Sequence, residues 1–223
     1  MPPQCPLFKV NLTEAATLFD HIEQPRDKPM TNAYAIDSRH EFDRLEIPAR
    51  PRIRLHRATV DDIGATRQLA AQELPGSVAS EESIARTISQ NRDSVLLFYQ
   101  NSDVVGICAM LMLTAIGLEA LLVGEFDGLN PNPKGIAATS DSPAAIYHWA
   151  VVAPGLASEG IRHVSQFLRQ PPFRAANFYS RPNTKVGIRL NLGLGFRAIR
   201  AGTPGLFRYV RLINRTPPLS RAA

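Results

Sequence analysis

Cysteine is nearly absent from this chain: there are two in 223 residues, Cys5 and Cys108. Two thiols form at most one disulfide, and neither sits in a CxxC or CxxH spacing, so a disulfide framework and a structural zinc centre are both excluded as organising devices. Cys108 lies inside an apolar run and reads as a small buried hydrophobe. Long hydrophobic runs are missing too. The longest, Val104 to Val123, is broken by Gly106, Thr114, Gly117 and Glu119, short of the ~20 apolar residues that a membrane span needs. The first residues, Met1-Pro2-Pro3-Gln4-Cys5-Pro6, have neither a basic n-region nor an apolar h-region, which places the expectation in the cytoplasm with no membrane partner. No metal-ligand cluster, Walker loop, GxSxG or HExxH occurs. Gly193-Leu194-Gly195 follows a helical pattern instead of opening one, which excludes a dinucleotide fingerprint.

Acids are scarce in the last third. From Ala145 onward twelve Lys or Arg face one carboxylate, Glu159, a net +11 that leaves −6 for the remainder of the +5 total. Such a surface suits a polyanion: a phosphorylated cosubstrate, a nucleic acid, or an acidic region of this chain or of a second copy.

What is present is globular in composition, with 44% hydrophobic and 20% charged residues and a mean hydropathy of −0.11. The length suits one domain with an appended segment. Residues 1–51 hold seven prolines and one stretch with helical promise, Leu12 to Ile22, and read as a Pro-rich N-terminal extension. Residues 52–215 form the expected domain and 216–223 a tail.

Within that domain, Arg52 to Ala58 alternates with period two as a half-buried strand does. Thr59 or Asp61 caps a helix to Leu74, stopped by Pro75-Gly76, and Ser80 opens a second helix. Strands Ser94 to Gln100 and Val104 to Thr114 follow, joined by Asn101-Ser102-Asp103. The pattern then degrades: Gly117 to Phe126 reads as helix or strand, and residues 127–135 as loop. Strand Ala145 to Ala153, helix Ser158 to Arg169, strand Ala175 to Ser180, helix Asn183 or Thr184 to Leu192, and strands Phe196 to Ile199 and Leu206 to Ile213 complete the chain. The segment Gly124 to Pro143 is longer than a hairpin between neighbouring strands needs, and is expected to be mobile, as a lid on an acceptor pocket or equally as an arm of a homodimer.

The order βααββ, loop, βαβα, ββ resembles the GCN5-related N-acetyltransferase (GNAT) superfamily. Val152-Ala153-Pro154-Gly155-Leu156-Ala157-Ser158-Glu159-Gly160-Ile161-Arg162 is similar to that family's donor motif, with Val152, Pro154, Gly160 and Ile161 in register. Asn183 and Leu194-Gly195-Phe196 resemble its last helix. The resemblance covers about Arg52 to Ile213 and implies an α/β fold with a mixed, mostly antiparallel central sheet flanked by helices. It also implies an acyl-CoA-dependent N-acyltransferase that uses acetyl-CoA or another acyl-CoA to modify a small-molecule or peptide amine by direct attack. Val151, Val152, Ala157, Ser158, Glu159, Gly160, Ile161, Arg162 and Asn183 would then line the donor site. Independently of the family, a strand that hands over to a helix start presents unpaired N–H groups and about half a positive charge, which suits a pyrophosphate.

Three positions depart from that family. Ala157 stands where it has Arg or Gln, Arg162 where it has a second Gly or Ala, and Asn191 where a Tyr often acts as acid. Arg162 either blocks the phosphates or binds them. The remaining catalytic candidates are His148, Tyr147 and Tyr179, with Ser180 beside the last. By plain alternation His148 shares a face with Ile146, Ala150 and Val152; it reads either as base or as a half-buried structural His. His163 reads as a phosphate ligand or a solvated helix residue. Glu119, Glu125 and Asp127 are candidate contacts for a cationic acceptor. Two further readings stay open: a GNAT-fold binding or regulatory module without transfer activity, and an RNA or polyanion binder.

Overall fold

The computed structural model describes residues 41–74 and 78–215. The helical stretch expected at 12–22, the Pro75-Gly76 stop and the tail at 216–223 lie outside the described residues. Seven strands make one sheet in the order β1-β2-β3-β4-β5-β7-β6: β1 Arg54–Arg57, β2 Val95–Gln100, β3 Asp103–Leu113, β4 Ala145–Val152, β5 Asn177–Ser180, β6 Arg197–Ala198 and β7 Phe207–Tyr209. All neighbours are antiparallel except β4 and β5. The helices are α1 Ile63–Glu73, α2 Glu81–Gln90, α3 Ala115–Val123, α4 Ala157–Phe167 and α5 Lys185–Gly193. This is the mixed, mostly antiparallel, helix-flanked sheet that the family resemblance implies.

Alternation divides the core. Leu96, Phe98, Cys108, Met110, Met112, Ile146 and Phe178 face one side, where α4 contributes Ile161 and Val164. Val95, Leu97, Ile107 and Ala109 face the other side beneath α1 and α2, and Leu111, Leu113, Ala145 and Tyr179 lie with Leu121 of α3. Residues 41–53 run against α4. Phe42 and Leu45 are buried in its core, and Ser165 and Arg169 donate side-chain hydrogen bonds to the carbonyls of Phe42 and Leu45.

One element that the sequence reading left open is decided, and two others differ from it. The ambiguous stretch after β3 is a helix, because Thr114 caps it by accepting the Gly117 N–H at 3.2 Å and Gly124, at φ 90°, ends it in the left-handed region. The last strand stops at Tyr209 instead of running to Ile213, because Arg211 turns inward. Its Nε lies 3.0 Å from Asp43 Oδ1, and its Nη2 donates to the Leu168 carbonyl at 3.0 Å. The long segment before β4 is fastened rather than free. Gln90 Nε2 donates to the Pro133 carbonyl at 2.6 Å and Asn91 Nδ2 to the Ala137 carbonyl at 3.0 Å. Thr114 Oγ1 donates to the Lys134 carbonyl at 2.9 Å. The middle of the segment is thus hydrogen-bonded to the end of α2 and to the start of α3.

Candidate active site

The site is built by a fork in the sheet. β4 and β5 pair in parallel from Ala145↔Asn177 to His148↔Ser180. There β5 ends, while β4 continues beside β3 to Val152. Residues 149–152 therefore present an edge with no β5 partner, at the C-terminal ends of two parallel strands where α/β sheets open toward ligands.

A bulge re-aims that edge. Ala109 pairs with Ala150 and Met110 with His148, so Trp149 is the extra residue. The expected alternation fails here for that reason. Beyond Trp149 the parity switches: Val151 and Ala153 pack on the α4 face with Ile146, whereas Ala150 and Val152 turn to the α1 side. His148 shares its face with Ile146 and Cys108, not with Ala150 and Val152. Its Nε2 lies 3.6 Å from Cys108 Sγ, and its apolar surroundings push its pKa down to about 4. At neutral pH the imidazole is uncharged. The Cys108 thiol is fully buried and burial pushes its pKa up, so it stays protonated.

On the other face of β4, Tyr147 stacks edge-on against Phe126, with ring centroids 5.6 Å apart. Burial raises its pKa, and the nearby Arg181 guanidinium offsets part of that rise. The phenol thus keeps its proton. Tyr179, opposite Tyr147 in register, is 5% exposed and belongs to the core with Leu111 and Leu206. Ser180 is likewise buried.

After Val152 the chain turns through Pro154 and Gly155, whose φ of 67° needs no side chain, into α4. The residue before the helix is Leu156, which has no capping side chain. The N–H groups of Ala157, Ser158 and Glu159 begin the helix without intrahelical acceptors. Ala157 is half-buried and Ser158 exposed.

The next four residues of the motif serve the scaffold. Glu159 is 6% exposed, and its carboxylate accepts from Arg52 N at 2.5 Å, Arg52 Nε at 2.9 Å and Ile53 N at 3.2 Å. Burial pushes the Glu159 pKa up, but the Arg52 side chain and the two backbone donors outweigh it and hold the carboxyl below its ordinary value. Gly160 faces Phe98: a Cβ there would come within 2.6 Å of the ring. The glycine serves helix-on-sheet packing, where the sequence reading gave it to the phosphates. Ile161 is core. Arg162 donates from Nη1 to the Glu46 carbonyl at 3.0 Å, which draws its guanidinium onto the segment beside α4. His163 is partly buried, and burial lowers its pKa against a smaller upward pull from Glu159.

Asn183 is exposed just before Thr184, which caps α5 by accepting the Gly187 N–H at 3.0 Å. Glu119, Glu125 and Asp127 are exposed. Asp127 Oδ1 accepts the amides of Leu129 and Asn130 at 2.8 and 3.2 Å, closing its own turn. Phe126 and Gly128 bring this strip against Tyr147 and Trp149. The sequence reading missed Trp149, Phe126 and Arg181 as wall residues. The only tryptophan of the chain, placed on the strand leading to the motif, was the available signal.

No family model and no curated protein matches the chain. Solved structures do share its fold. The loading GNATL domain of CurA from Lyngbya majuscula aligns over 71% of this chain and 97% of its own, at 13% identity and a TM-score of 0.51. The GphF GNAT-like decarboxylase in complex with isobutyryl-CoA aligns over 64% and 72%, at 19% identity and a TM-score of 0.45. NAA60 of Arabidopsis thaliana in complex with acetyl-CoA aligns over 71% and 99%, at 14% and 0.46. The first of these, with the strand order and the fork, shows that the chain has the GNAT fold.

Proposed function

We propose, from that fold as premise, that the chain is an acyl-CoA-dependent N-acyltransferase in which a thioester lies along the open edge of β4 and an amine attacks it directly. The observation that carries this reading is the fork itself. β4 outlasts β5 by four residues and leads straight to a helix start whose amides have no side-chain cap. The phosphates of acyl-CoA suit the amides of Ala157, Ser158 and Glu159 at the positive end of α4. Val151 and Ala157 flank the thioester arm, and Asn183 lies at the opposite lip, before α5. Arg162 does not block this approach, because its guanidinium is directed to Glu46.

The chemistry asks for a held amine, a polarised carbonyl and a proton route. A bulged residue leaves the regular ladder, so the Trp149 amide is the donor assigned to the thioester oxygen. As the amine nitrogen bonds to the carbonyl carbon and the C–S bond breaks, the amine proton passes through water to bulk solvent; His148, on the opposite face of β4 beside Cys108 and with its pKa pushed down to about 4, serves the scaffold in this reading. Tyr147, kept protonated by burial, supplies a proton to the departing thiolate. Tyr179 supports the wall and does not touch the substrate. Phe126, Trp149 and Tyr147 give the acceptor an aromatic enclosure, with Glu125 and Asp127 at its rim for the amine's charge; Glu119, within α3, is the third acid offered to a cationic acceptor.

Calorimetric titration of the full chain with acetyl-CoA and longer acyl-CoAs tests the reading. One-site binding is expected, followed by acyl transfer to a member of an amine panel that falls about 10²-fold in Tyr147→Phe. Absence of heat and of thermal shift with every acyl-CoA would overturn it. Binding without transfer to any amine would favour the non-catalytic module.

A further inference from the structure

At the far edge of the sheet, away from the fork, a cleft of about 390 Å³ is lined by Glu41, Arg197, Ile199, Arg208, Val210 and Arg215, together with Gly195. This is the scale of a small-molecule site. Three of its side chains are guanidinium groups and one is a carboxylate. The carboxylate is taken: Glu41 Oε1 lies 2.5 Å from Arg215 Nη1, and its Oε2 lies 3.8 Å from Arg44 Nε. Arg215 is further fixed over the Tyr209 ring, 5.3 Å from its centroid.

The other two cations have no such relief. Arg197 and Arg208 stand directly opposite each other in the β6–β7 ladder, on one face, where Cβ atoms are about 5 Å apart and like charges oppose pairing. Both are exposed. Among the described residues neither has a carboxylate within ion-pairing distance, and the one hydrogen bond that either guanidinium makes there runs from Arg197 Nη1 to its own neighbour's carbonyl, Phe196 O, at 3.0 Å. Two arginines facing each other beside a cavity, whose one acid among the described residues is committed elsewhere, form a two-pronged receptor for an anion with several acceptor oxygens. Ile199 and Val210 add apolar wall for the body that carries it.

We propose that this cleft binds a phosphate ester: a small molecule whose phosphoryl group bridges Arg197 and Arg208 and whose apolar or aromatic body lies on Ile199 and Val210. Three strand positions separate β6 from β4, about 14 Å at the usual spacing, so the site is separate from the proposed thioester fork and does not depend on that reading.

The test is calorimetric titration of the full chain at low salt with inorganic phosphate and with AMP, in wild type, in Arg197→Gln/Arg208→Gln, and in the exposed control Arg174→Gln. The expected result is one site, tighter for AMP than for phosphate. Affinity should drop about tenfold or more in the double variant, as loss of charge-assisted bidentate contacts predicts, and stay unchanged in Arg174→Gln. Without ligand the double variant should melt no lower than wild type, since a repulsive pair is gone; AMP should then raise the melting temperature of wild type alone. Equal AMP affinity in wild type and the double variant overturns the proposal, as does absence of binding to either probe. Retention of bulk tRNA that the double substitution abolishes, with no AMP binding, overturns it in favour of a nucleic-acid surface.

Discussion

Two helices start on opposite sides of the fork, and they start differently. α5 opens on Thr184, whose hydroxyl accepts the Gly187 amide at 3.0 Å. α4 opens on Leu156, which offers its N–H groups nothing. Ser80 and Thr114 cap α2 and α3 in the same way as Thr184, and α1 starts without a side-chain cap at Asp62 as α4 does at Leu156, but of the two uncapped starts only that of α4 follows a strand of the fork. A good cap is worth about 1 kcal/mol, and an uncapped start keeps that interaction for an anion from solution. Behind its open first turn, α4 is held by Glu159, which ties the helix to Arg52 and Ile53 just before β1, and by Gly160, which lets it seat on Phe98.

That anchoring is the first place to break the comparison. Glu159→Ala leaves the Arg52 and Ile53 amides without their acceptor, and removing one partner of buried charge-assisted bonds costs the desolvation of those left behind. A loss of about 3 kcal/mol in urea unfolding is expected, and a loss under about 1 kcal/mol would show that α4 is held by packing alone. The sign with pH follows from the lowered carboxyl. Its stabilisation is complete above the unfolded-state value near 4.3 and disappears as pH falls through the folded-state value. Glu159→Gln should therefore flatten the acid limb of the stability curve.

His148 gives the next largest effect. Its folded pKa of about 4 lies below the unfolded value near 6.5, so the fold disfavours the charged ring. The associated stability is present above pH 6.5 and is lost as pH falls toward 4, with an upper bound of about 3 kcal/mol reduced by the ring's partial exposure. His148→Asn should lose less stability over that interval than wild type. Parallel curves would place the acid sensitivity elsewhere.

What was legible in the sequence divides along a physical line. Alternation and turn chemistry identify β1 to β5, and caps identify α2 and α5, because these signals are local. The handover at Val152 is legible for the same reason, since the strand, Pro154-Gly155 and the following amphipathic run are contiguous. Illegible were the bulge at Trp149, which depends on the pairing of β3 with β4 and reverses the facing of every residue after it, and the roles of Glu159, Gly160 and Arg162. Those three meet partners 116 to 62 positions away in the chain, at Glu46, Arg52 and Phe98, and nothing in a linear motif says that its glycine faces a phenylalanine. The inward turn of Arg211 toward Asp43 is hidden in the same way.

Removing the cap from the other helix sharpens the contrast. Thr184→Ala should cost about 1 kcal/mol, read as a lowered urea midpoint with unchanged slope, and should leave acyl-CoA affinity within about twofold, a difference worth less than 0.5 kcal/mol. A tenfold loss of affinity would mean that the α5 start, not the α4 start, receives the phosphates.

The smallest effect on stability is also the one that separates structure from function. Ser158 is exposed in the first turn of α4, where a negative side chain interacts favourably with the helix dipole by about 0.5 kcal/mol. Ser158→Glu should thus raise the melting temperature slightly. The same carboxylate would compete with phosphate for the open amides and repel it, so acyl-CoA affinity should fall about tenfold or more, the equivalent of ~1.4 kcal/mol. Ser158→Gln, without the charge, should show neither change. Opposite signs for stability and binding are what an anion-receiving helix start demands; if Ser158→Glu binds acyl-CoA as wild type does, the uncapped turn of α4 is a structural accident and the donor lies elsewhere along the fork.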